Sequence, residues 1–589
     1  MAPLAVHIKH AGKIYDLSLD PALPPAVFKD AVYHATGVPV DRMKVMVKGG
    51  VLKVDSSLSL PILIPSLVAQ DDSSWQKIGP KAGQTFMVIG AAGELPKPPA
   101  KPTVFLEDMG DAELAEALAK PVGLRNLGNT CYMNASVQAL RAIPELQVAL
   151  TAPSLQSATP LPAALRDLYA NMARTSDTVT PMGFLSTLRQ VNPQFAEMDR
   201  SGKQLGGTYA QQDAEECFGQ IINTLRNVPG LNADGSSSGT SPQASTDVKK
   251  FVEQYLMGSM RRELTCDEAP EEPASVTTEN VLKIECNINI TTNFMLTGIM
   301  NARRSSLDQK VEKRSPFLGR DAIYSQKSRI TRLPGYLVVH MVRFAWRQDI
   351  QKKAKIMRKV KFPLEFDALD LVTDDLRAKL LPASRKLKEI EKERLERRKV
   401  RKRTKNAPPP TSSTLAPVAT TDVEMGDATA VIAVGGPTSD AVIEKGKTVA
   451  GGELEDESVY RAKEKEELEP LISEDVKRDV GASISGLYDL VAIVTHKGAA
   501  ADAGHYIGFA KKNVFHPVKG STPKPTAAPD AGEGTSTPIP AMELDEDDED
   551  WYKFDDDKVS LFPKEKLSTL DGGGEDSSAY VLVYKSRTI

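Results

Sequence analysis

Cys131 stands where a thiol could be made into a nucleophile. It follows the run Gly123-Leu-Arg-Asn-Leu-Gly-Asn-Thr and opens a segment with Met133, Val137 and Leu140 at helical spacing. A Gly- and Asn-rich turn therefore delivers it to a helix N-terminus. Free amides and the positive end of the helix dipole favour thiolate over thiol there. The same amides could stabilise an oxyanion. Asn126, five residues earlier, could add a side-chain N–H to a tetrahedral intermediate, a contact worth a few kcal/mol. A cysteine at a helix start is more often a buried structural residue, so the reading needs a base. Seven histidines are present: His7, His10 and His34 near the N-terminus, then His340, His496, His505 and His516. His340 lies inside the apolar run GYLVVHMVRFAW, where an imidazole is usually a core or sheet group, and His516 lies in a Pro-rich stretch. His505 follows Gly504 and opens the strand-like GHYIGFAKK, so its ring would project from a strand end toward a facing helix. His496, before the preceding Gly/Ala-rich loop, reads as structural. A third group should hold the imidazole tautomer through Nδ1–H. WYKFDDDKVSLF at 551–562 offers it: strand alternation puts Trp551, Lys553 and Asp555 on one side. Asp555 is the preferred partner, and Asp556 stays open.

The elements that must carry these groups belong to a large chain. At 589 residues it exceeds a single core and implies two to four folded units. With 41% hydrophobic and 26% charged residues and a net charge of -4, composition supplies no general attraction to nucleic acid or membrane. Four cysteines, none in a C-x-x-C pair, indicate neither a disulfide framework nor a four-thiolate metal site, and fit a reducing compartment. The N-terminal run lacks the apolar core of a signal peptide, and no stretch reaches membrane-span length, so a soluble protein is expected. Residues 4–17 alternate through a hairpin at Ala11-Gly12. Residues 24–36 show helical spacing of Val27, Phe28 and Val32, and strands follow at 44–50 and 84–90, giving a ββαββ unit. Pro-rich 92–104 marks a linker that extends to 119. Beyond it a large α-then-β region, 120–589, is interrupted by 233–247, 382–480 and 513–549, which carry no periodic apolar pattern and are expected to be disordered insertions. The basic run RKLKEIEKERLERRKVRKRTK reads as a solvated charged arm, with nuclear import or an acidic partner as the alternative. The acidic run ELDEDDED at 543–550 reads as a solvated flank rather than a metal site.

In chain order, the Cys131 box, the Gly504-His505-Tyr506 box and the W-Y-x-F-D-D box resemble the ubiquitin-specific protease family of papain-like cysteine proteases. So do Gln211-Gln212-Asp213-Ala214-Glu215-Glu216, expected on a helix, RLPGYLVVHMVRF, and KVKFPLEFD at 359–367. The resemblance covers about 120–589. In the N-terminal unit, VFKDAVYHATGV, KVMVKGG and KIGPKAGQTFMVIG resemble the ubiquitin-like domain of the family's proteasome-associated branch, with an unrelated small α+β module as the alternative. The implied fold is α+β: a ubiquitin-like β-grasp domain at 4–91, then a thumb, palm and fingers catalytic domain. The segment SSLSLPILIPSLVAQ interrupts the first domain. Removing 54–70 restores a continuous LKDD-x-W pattern, and the segment's Val and Gln ends suit the GT and AG of an in-frame retained intron, which sequencing of spliced transcripts tests.

The resemblance implies hydrolysis of isopeptide bonds at the ubiquitin C-terminus. Cys131 would attack the final glycine, and Gln212, Asp213 and Tyr506 would contact the tail or support its loops. It implies ubiquitin, ubiquitinated proteins and the 26S proteasome regulatory particle as partners, and the cytoplasm and nucleus as location. Cys266 and Cys286 stand singly where many relatives carry zinc-binding pairs, so neither metal nor cofactor is expected. Two rival readings are a ubiquitin-sensing proteasome regulator without catalysis, and a hydrolase of another ubiquitin-like modifier.

Overall fold

The computed structural model describes residues 3–40, 42–47, 50–52, 75–90, 111, 115, 120–152, 155, 160–199, 209–232, 235, 249–300, 308–349, 351–406, 454–500, 503–518 and 543–588. The chain forms two compact units, Met1–Asp108 and Met109–Ile589. Segment 54–70 and, apart from Gly235, insertion 233–247 lie outside the described residues, as does most of 92–119.

The first unit runs β1 (Leu4–His10), β2 (Lys13–Leu19), α1 (Pro25–Thr36), β3 (Lys44–Val47), β4 (Gly50–Val51), α2 (Trp75–Ile78) and β5 (Thr85–Ile89). The sheet order is β2-β1-β5-β3-β4, with β1 and β5 parallel. Ala11 (φ 46°) and Gly12 (φ 79°) are both left-handed, the conformation of a two-residue hairpin matched to strand twist. On α1, Phe28 and Val32 are buried, four residues apart on one face. Val27, expected among them, is 46% exposed because it lies one step round the helix. Phe28 meets Trp75 and Phe86 edge-on at 5.5 and 5.8 Å, forming the centre of this core.

The second unit opens with helices α3 (Cys131–Leu140), α4 (Pro144–Leu150), α5 (Pro160–Ala173), α6 (Met182–Val191), α7 (Ala214–Thr224) and α8 (Phe251–Tyr255). A four-stranded sheet, ordered β7-β6-β10-β9, is built from β6 (Gly258–Cys266), β7 (Ser275–Val281), β9 (Asp308–Arg314) and β10 (Asp321–Arg332). Between β7 and β9 run β8 (Ile284–Asn287) and α9 (Met295–Met300). Next come β11 (Tyr336–Val342), β12 (Phe344–Arg347), β13 (Lys352–Lys355), β14 (Glu365–Asp367), α10 (Asp374–Asn406), α11 (Glu457–Leu468) and α12 (Glu474–Arg478). The chain ends with β15 (Leu487–Ala500), β16 (Ala503–Lys511), β17 (Trp551–Asp555), β18 (Lys558–Phe562) and β19 (Ser578–Ser586). These strands give a ten-stranded sheet whose main order is β18-β17-β16-β15-β19-β11-β8. Apolar layers cover both its faces, the helices α3 to α8 on one and α9 with the start of α10 on the other. That is why β15 carries the apolar run Leu490–Val494 and β19 the run Ala579–Tyr584. Gly508 lets α3 lie directly on β16: a Cβ there would stand 3.3 Å from the Ala135 carbonyl. This close approach brings the start of α3 to the start of β16. Among the described residues no helix is long and apolar enough to cross a membrane.

The expectation that 382–480 is disordered is overturned in its described parts. On α10 the inward positions 380, 383, 387 and 390 carry Leu, Ala, Leu and Ile, all buried, and the same alternating three- and four-residue step continues to Arg394, Arg397 and Arg401. These arginines face α11, where Glu464 receives Arg394 and Arg397, and Glu457 receives Arg397 and Arg401. A helical seam thus passes from apolar to ionic, and its second half looks like a solvated arm in sequence. The 513–549 insertion is likewise ordered at both ends. Val518 bridges Leu544, and His516, only 2% exposed, hydrogen-bonds the Tyr552 hydroxyl at 2.7 Å. The acidic run is no free flank, since Asp548 pairs with Lys512, Glu549 with Lys564 and Glu546 with Arg401.

Candidate active site

Cys131 is the first residue of α3 and is 3% exposed. The turn before it is shaped by Gly128 (φ 94°) and Asn129 (φ 53°), a conformation that glycine and asparagine tolerate best. Asn126 organises that turn from inside: its Oδ1 accepts from the Gly128 and Thr130 amides at 3.0 and 3.2 Å and from the Thr130 hydroxyl at 3.2 Å. The Met133 and Asn134 amides both bond the Thr130 carbonyl at 3.1 Å, which leaves the Cys131 and Tyr132 amides as the first-turn donors at the helix start.

His505, near the start of β16, is hydrogen-bonded to Asp555 and lies near enough to the Cys131 thiol for the two groups to interact. The nitrogen facing Asp555 is Nε2, at 2.7 Å from Oδ1, so the expectation of an Nδ1 contact is corrected. Nδ1 is the ring nitrogen left over for a thiol partner. Interaction with the thiol, opposed by partial burial and reinforced by Asp555, pushes the imidazole up to about 9. Burial works against ionised Asp555, but hydrogen bonds from Lys553 (2.9 Å) and His505 hold its carboxyl below the usual range. Lys553 can reach Asp555 because the two share a side of β17, the placement that strand alternation gives.

Asp556, the alternative partner, does something else. It sits in the two-residue turn between β17 and β18 with φ 54°, and its carboxylate accepts from Asn126 Nδ2 and Asn134 Nδ2, each at 2.8 Å. Its carbonyl accepts the Leu124 amide at 2.9 Å. The turn that ends β17 therefore fixes the turn that precedes Cys131. Sequence reasoning missed Asn134, although its place three residues after Cys131, on the turn-facing side of α3, was a signal.

Gln211-Gln212-Asp213 precede α7 rather than lie on it. Asp213 is the N-cap, accepting from the Glu215 and Glu216 amides at 2.7 and 3.3 Å, and the Tyr580 hydroxyl donates to its other oxygen at 2.6 Å. The Asp-x-x-Glu pattern carried that capping signal. Burial raises the Asp213 carboxyl despite these bonds. Gln212 is 8% exposed and Tyr506 only 1%, its ring 4.8 Å from His496 and 6.0 Å from Tyr580. Tyr506 thus lies in the layer beneath the site. His496 is fully buried, and burial, aided by Lys355 and His505, pushes it down to about 4, which makes it a neutral packing group. His340 is likewise pushed to about 4 by burial, edge-on to Tyr580 at 5.1 Å. Cys217 and Cys286 are thiols that burial pushes up, Cys286 to about 12. Among the described residues no group of three or more His, Cys, Asp or Glu side chains is placed to hold a metal ion.

A thiol at a helix start, an imidazole bridging it to a carboxylate, and an anchored carboxamide are the parts of a cysteine hydrolase. Residues 122–584 match the family model described as ubiquitin carboxyl-terminal hydrolase. The chain is 35% identical over 590 residues to ubiquitin carboxyl-terminal hydrolase 6 of Schizosaccharomyces pombe, covering all of both chains. It is 34% identical to the Arabidopsis thaliana protein of the same name over 99% of each chain. To ubiquitin carboxyl-terminal hydrolase 14 of Caenorhabditis elegans it is 27% identical over 99% of this chain and 94% of that one. The chain belongs to the ubiquitin carboxyl-terminal hydrolase family and is a cysteine-type ubiquitinyl hydrolase.

Proposed function

We propose that Cys131 is the nucleophile, His505 its base and acid, Asp555 the group orienting His505, and Asn126 an oxyanion donor, in hydrolysis of isopeptide bonds at the ubiquitin C-terminus. The observation that carries this is His505 bridging Cys131 and Asp555. His505 takes the thiol proton, and the thiolate attacks the carbonyl of the terminal glycine. The oxyanion is met by first-turn amides of α3 and the Asn126 N–H not given to Asp556. The imidazolium then protonates the leaving lysine amine as the C–N bond breaks, leaving a thioester. Water, deprotonated by His505, attacks that thioester and releases ubiquitin's carboxylate and the thiol. The helices, the ten-stranded sheet and the four-stranded sheet act as thumb, palm and fingers around ubiquitin. Gln212 lines the tail cleft, while Asp213 and Tyr506 support it from beneath. A ubiquitin probe with a C-terminal electrophile should label the wild type and leave Cys131→Ala unlabelled; labelling of the variant would refute the assignment.

The first unit acts, on this reading, as a ubiquitin-like β-grasp domain docking on the 26S proteasome regulatory particle. Its strand order and parallel β1–β5 pairing support the fold. A surface row supports the docking: Ile14, Lys9, Met87 and Met46 are successive cross-strand partners, and the three apolar members are 64, 52 and 38% exposed. Such a row marks an interaction face. The enzyme would then work in cytoplasm and nucleus, recycling ubiquitin from proteasome substrates. Met87→Glu in the full chain should abolish co-purification with proteasomes and leave hydrolysis by the free enzyme intact. Undiminished co-purification would sink the docking assignment.

A further inference from the structure

At one end of the four-stranded sheet, two loops meet: 267–274 between β6 and β7, and 315–320 between β9 and β10. The apolar material beneath them is small, comprising Cys266, Ala269, Ala322 and Tyr324 with Leu264 and Leu318, and it forms a cluster separate from the main core. A cluster of that size cannot fix two loops through burial. Carboxylates do so instead. Glu272 accepts from the Tyr324 hydroxyl at 2.7 Å and from the Ser315 hydroxyl at 2.5 Å. Ser315 is fully buried and closes its own loop: its Oγ accepts the Leu318 amide at 3.0 Å and its carbonyl the Gly319 amide at 2.9 Å. Around this knot, Asp267 accepts from Ser325 (2.6 Å) and Lys310 (2.9 Å), and Glu268 from the Ile323 amide (2.9 Å) and Arg320 (2.7 Å). The bonds that Glu272, Asp267 and Glu268 accept from Tyr324, Ser315, Ser325, Lys310, Ile323 and Arg320 all join the first loop to the second hairpin. Charge-assisted hydrogen bonds are about twice as strong as neutral ones, which suits them to a site with little core. Between Ser315 and Leu318 stands Phe317, 60% exposed, a large apolar side chain held out on the loop that Glu272 secures.

We propose that Glu272 is a positioning residue for substrate recognition: by tying loop 315–320 to loop 267–274 it holds Phe317 against the folded body of ubiquitin. This rests on the assignment of the four-stranded sheet as the part that grips ubiquitin. It separates body recognition, at the sheet's tip, from tail recognition and chemistry around Cys131. An exposed aromatic ring binds well only if its loop is ordered beforehand, since ordering it during binding consumes affinity.

The test uses the full chain and two fluorogenic amides, one of whole ubiquitin and one of a short peptide bearing only ubiquitin's C-terminal tail. Wild type must turn over the ubiquitin amide with a lower KM than the peptide; if it does not, the grip assignment itself fails. Given that, Glu272→Ala should raise KM for the ubiquitin amide about three- to tenfold, with kcat and peptide hydrolysis unchanged. Glu272→Gln, which keeps one acceptor oxygen, should fall between. Phe317→Ala should reproduce the KM rise, and the double variant should be no worse than the worse single one, because both remove the same contact. An unchanged KM in Glu272→Ala, additive effects in the double variant, or equal loss on both substrates would each overturn the proposal. Equal loss would mean that Glu272 supports the whole unit and not the tip.

Discussion

Replacing Asp556 tests whether the oxyanion donor is held from across the site. Glycine is the informative replacement, because the backbone there has φ 54°. Alanine would keep the Cβ clash of about 1–2 kcal/mol without the polar side chain that offsets it, and glycine has no such clash. Asp556→Gly removes two charge-assisted hydrogen bonds, to Asn126 and to Asn134, each 2.8 Å long. Deleting an oxyanion donor outright lowers kcat by about 10²–10³-fold, which sets the upper bound. Asn126 would not be lost entirely, since the three bonds to its Oδ1 remain and keep the carboxamide in the turn. What is lost is the direction of Nδ2, so kcat on the ubiquitin amide should fall about 10- to 100-fold with KM nearly constant. Asn126→Ala should cost more, and the double variant little beyond Asn126→Ala, because Asp556 acts through Asn126. Steady-state kinetics on correctly folded variants, checked by thermal melting, decide it. A kcat for Asp556→Gly within twofold of wild type, or a loss carried wholly by KM, would refute the reasoning.

The His505 imidazole, pushed up to about 9, keeps its proton through neutrality and loses it above. Its elevation is therefore stability fully present below the ordinary imidazole value near 6.5 and lost as pH rises through about 9. The basic limb of kcat/KM should fall near that pH, and Asp555→Asn, which removes one support of the charge, should shift the limb downward; an unmoved limb in a pH–rate profile contradicts the Asp555 assignment. In the helical seam, Arg397→Met should weaken α10–α11 pairing by about 2 kcal/mol while leaving ubiquitin-amide turnover unchanged, since Arg397 is bonded to Glu457 and Glu464. Hydrogen exchange should then quicken along 390–402 and 457–468, and unchanged protection there would show that the ion pairs do not hold the seam.

Cys131 and His505 were legible because each is defined by a few neighbouring residues: a turn leading into a helix, and a glycine leading into a strand. Asp555 followed from strand alternation, a local rule. The ring nitrogen it meets did not, because imidazole orientation is set when two distant elements close on it. Asp556 was read only as a rival to Asp555, since its bond to Asn126 joins residues 430 positions apart. The α10 seam was misread for a different reason. Its spacing is regular through Arg401, but apolar periodicity stops at Ile390, and charges in a seam resemble charges in solvent until their partners on α11 are seen. His516 was discounted with the Pro-rich stretch after it, although Lys512–Val514, two residues upstream, form a helical turn that follows β16.

The bridge between Val518 and Leu544 gives the site an unusual tolerance. The chain leaves the sheet between His505 and Asp555 and returns beside its point of departure, with the Leu544 amide on the Pro517 carbonyl at 2.9 Å. Two anchors a strand spacing apart, about 5 Å, make the geometry of the His505–Asp555 pair independent of what is strung between them. Lengthening a connection between anchors so placed costs only about 0.6 kcal/mol per doubling. The paired positions 518 and 544 thus frame a port for foreign sequence, where a reporter or an affinity module could be spliced within the catalytic half of the chain without retuning its acid–base pair.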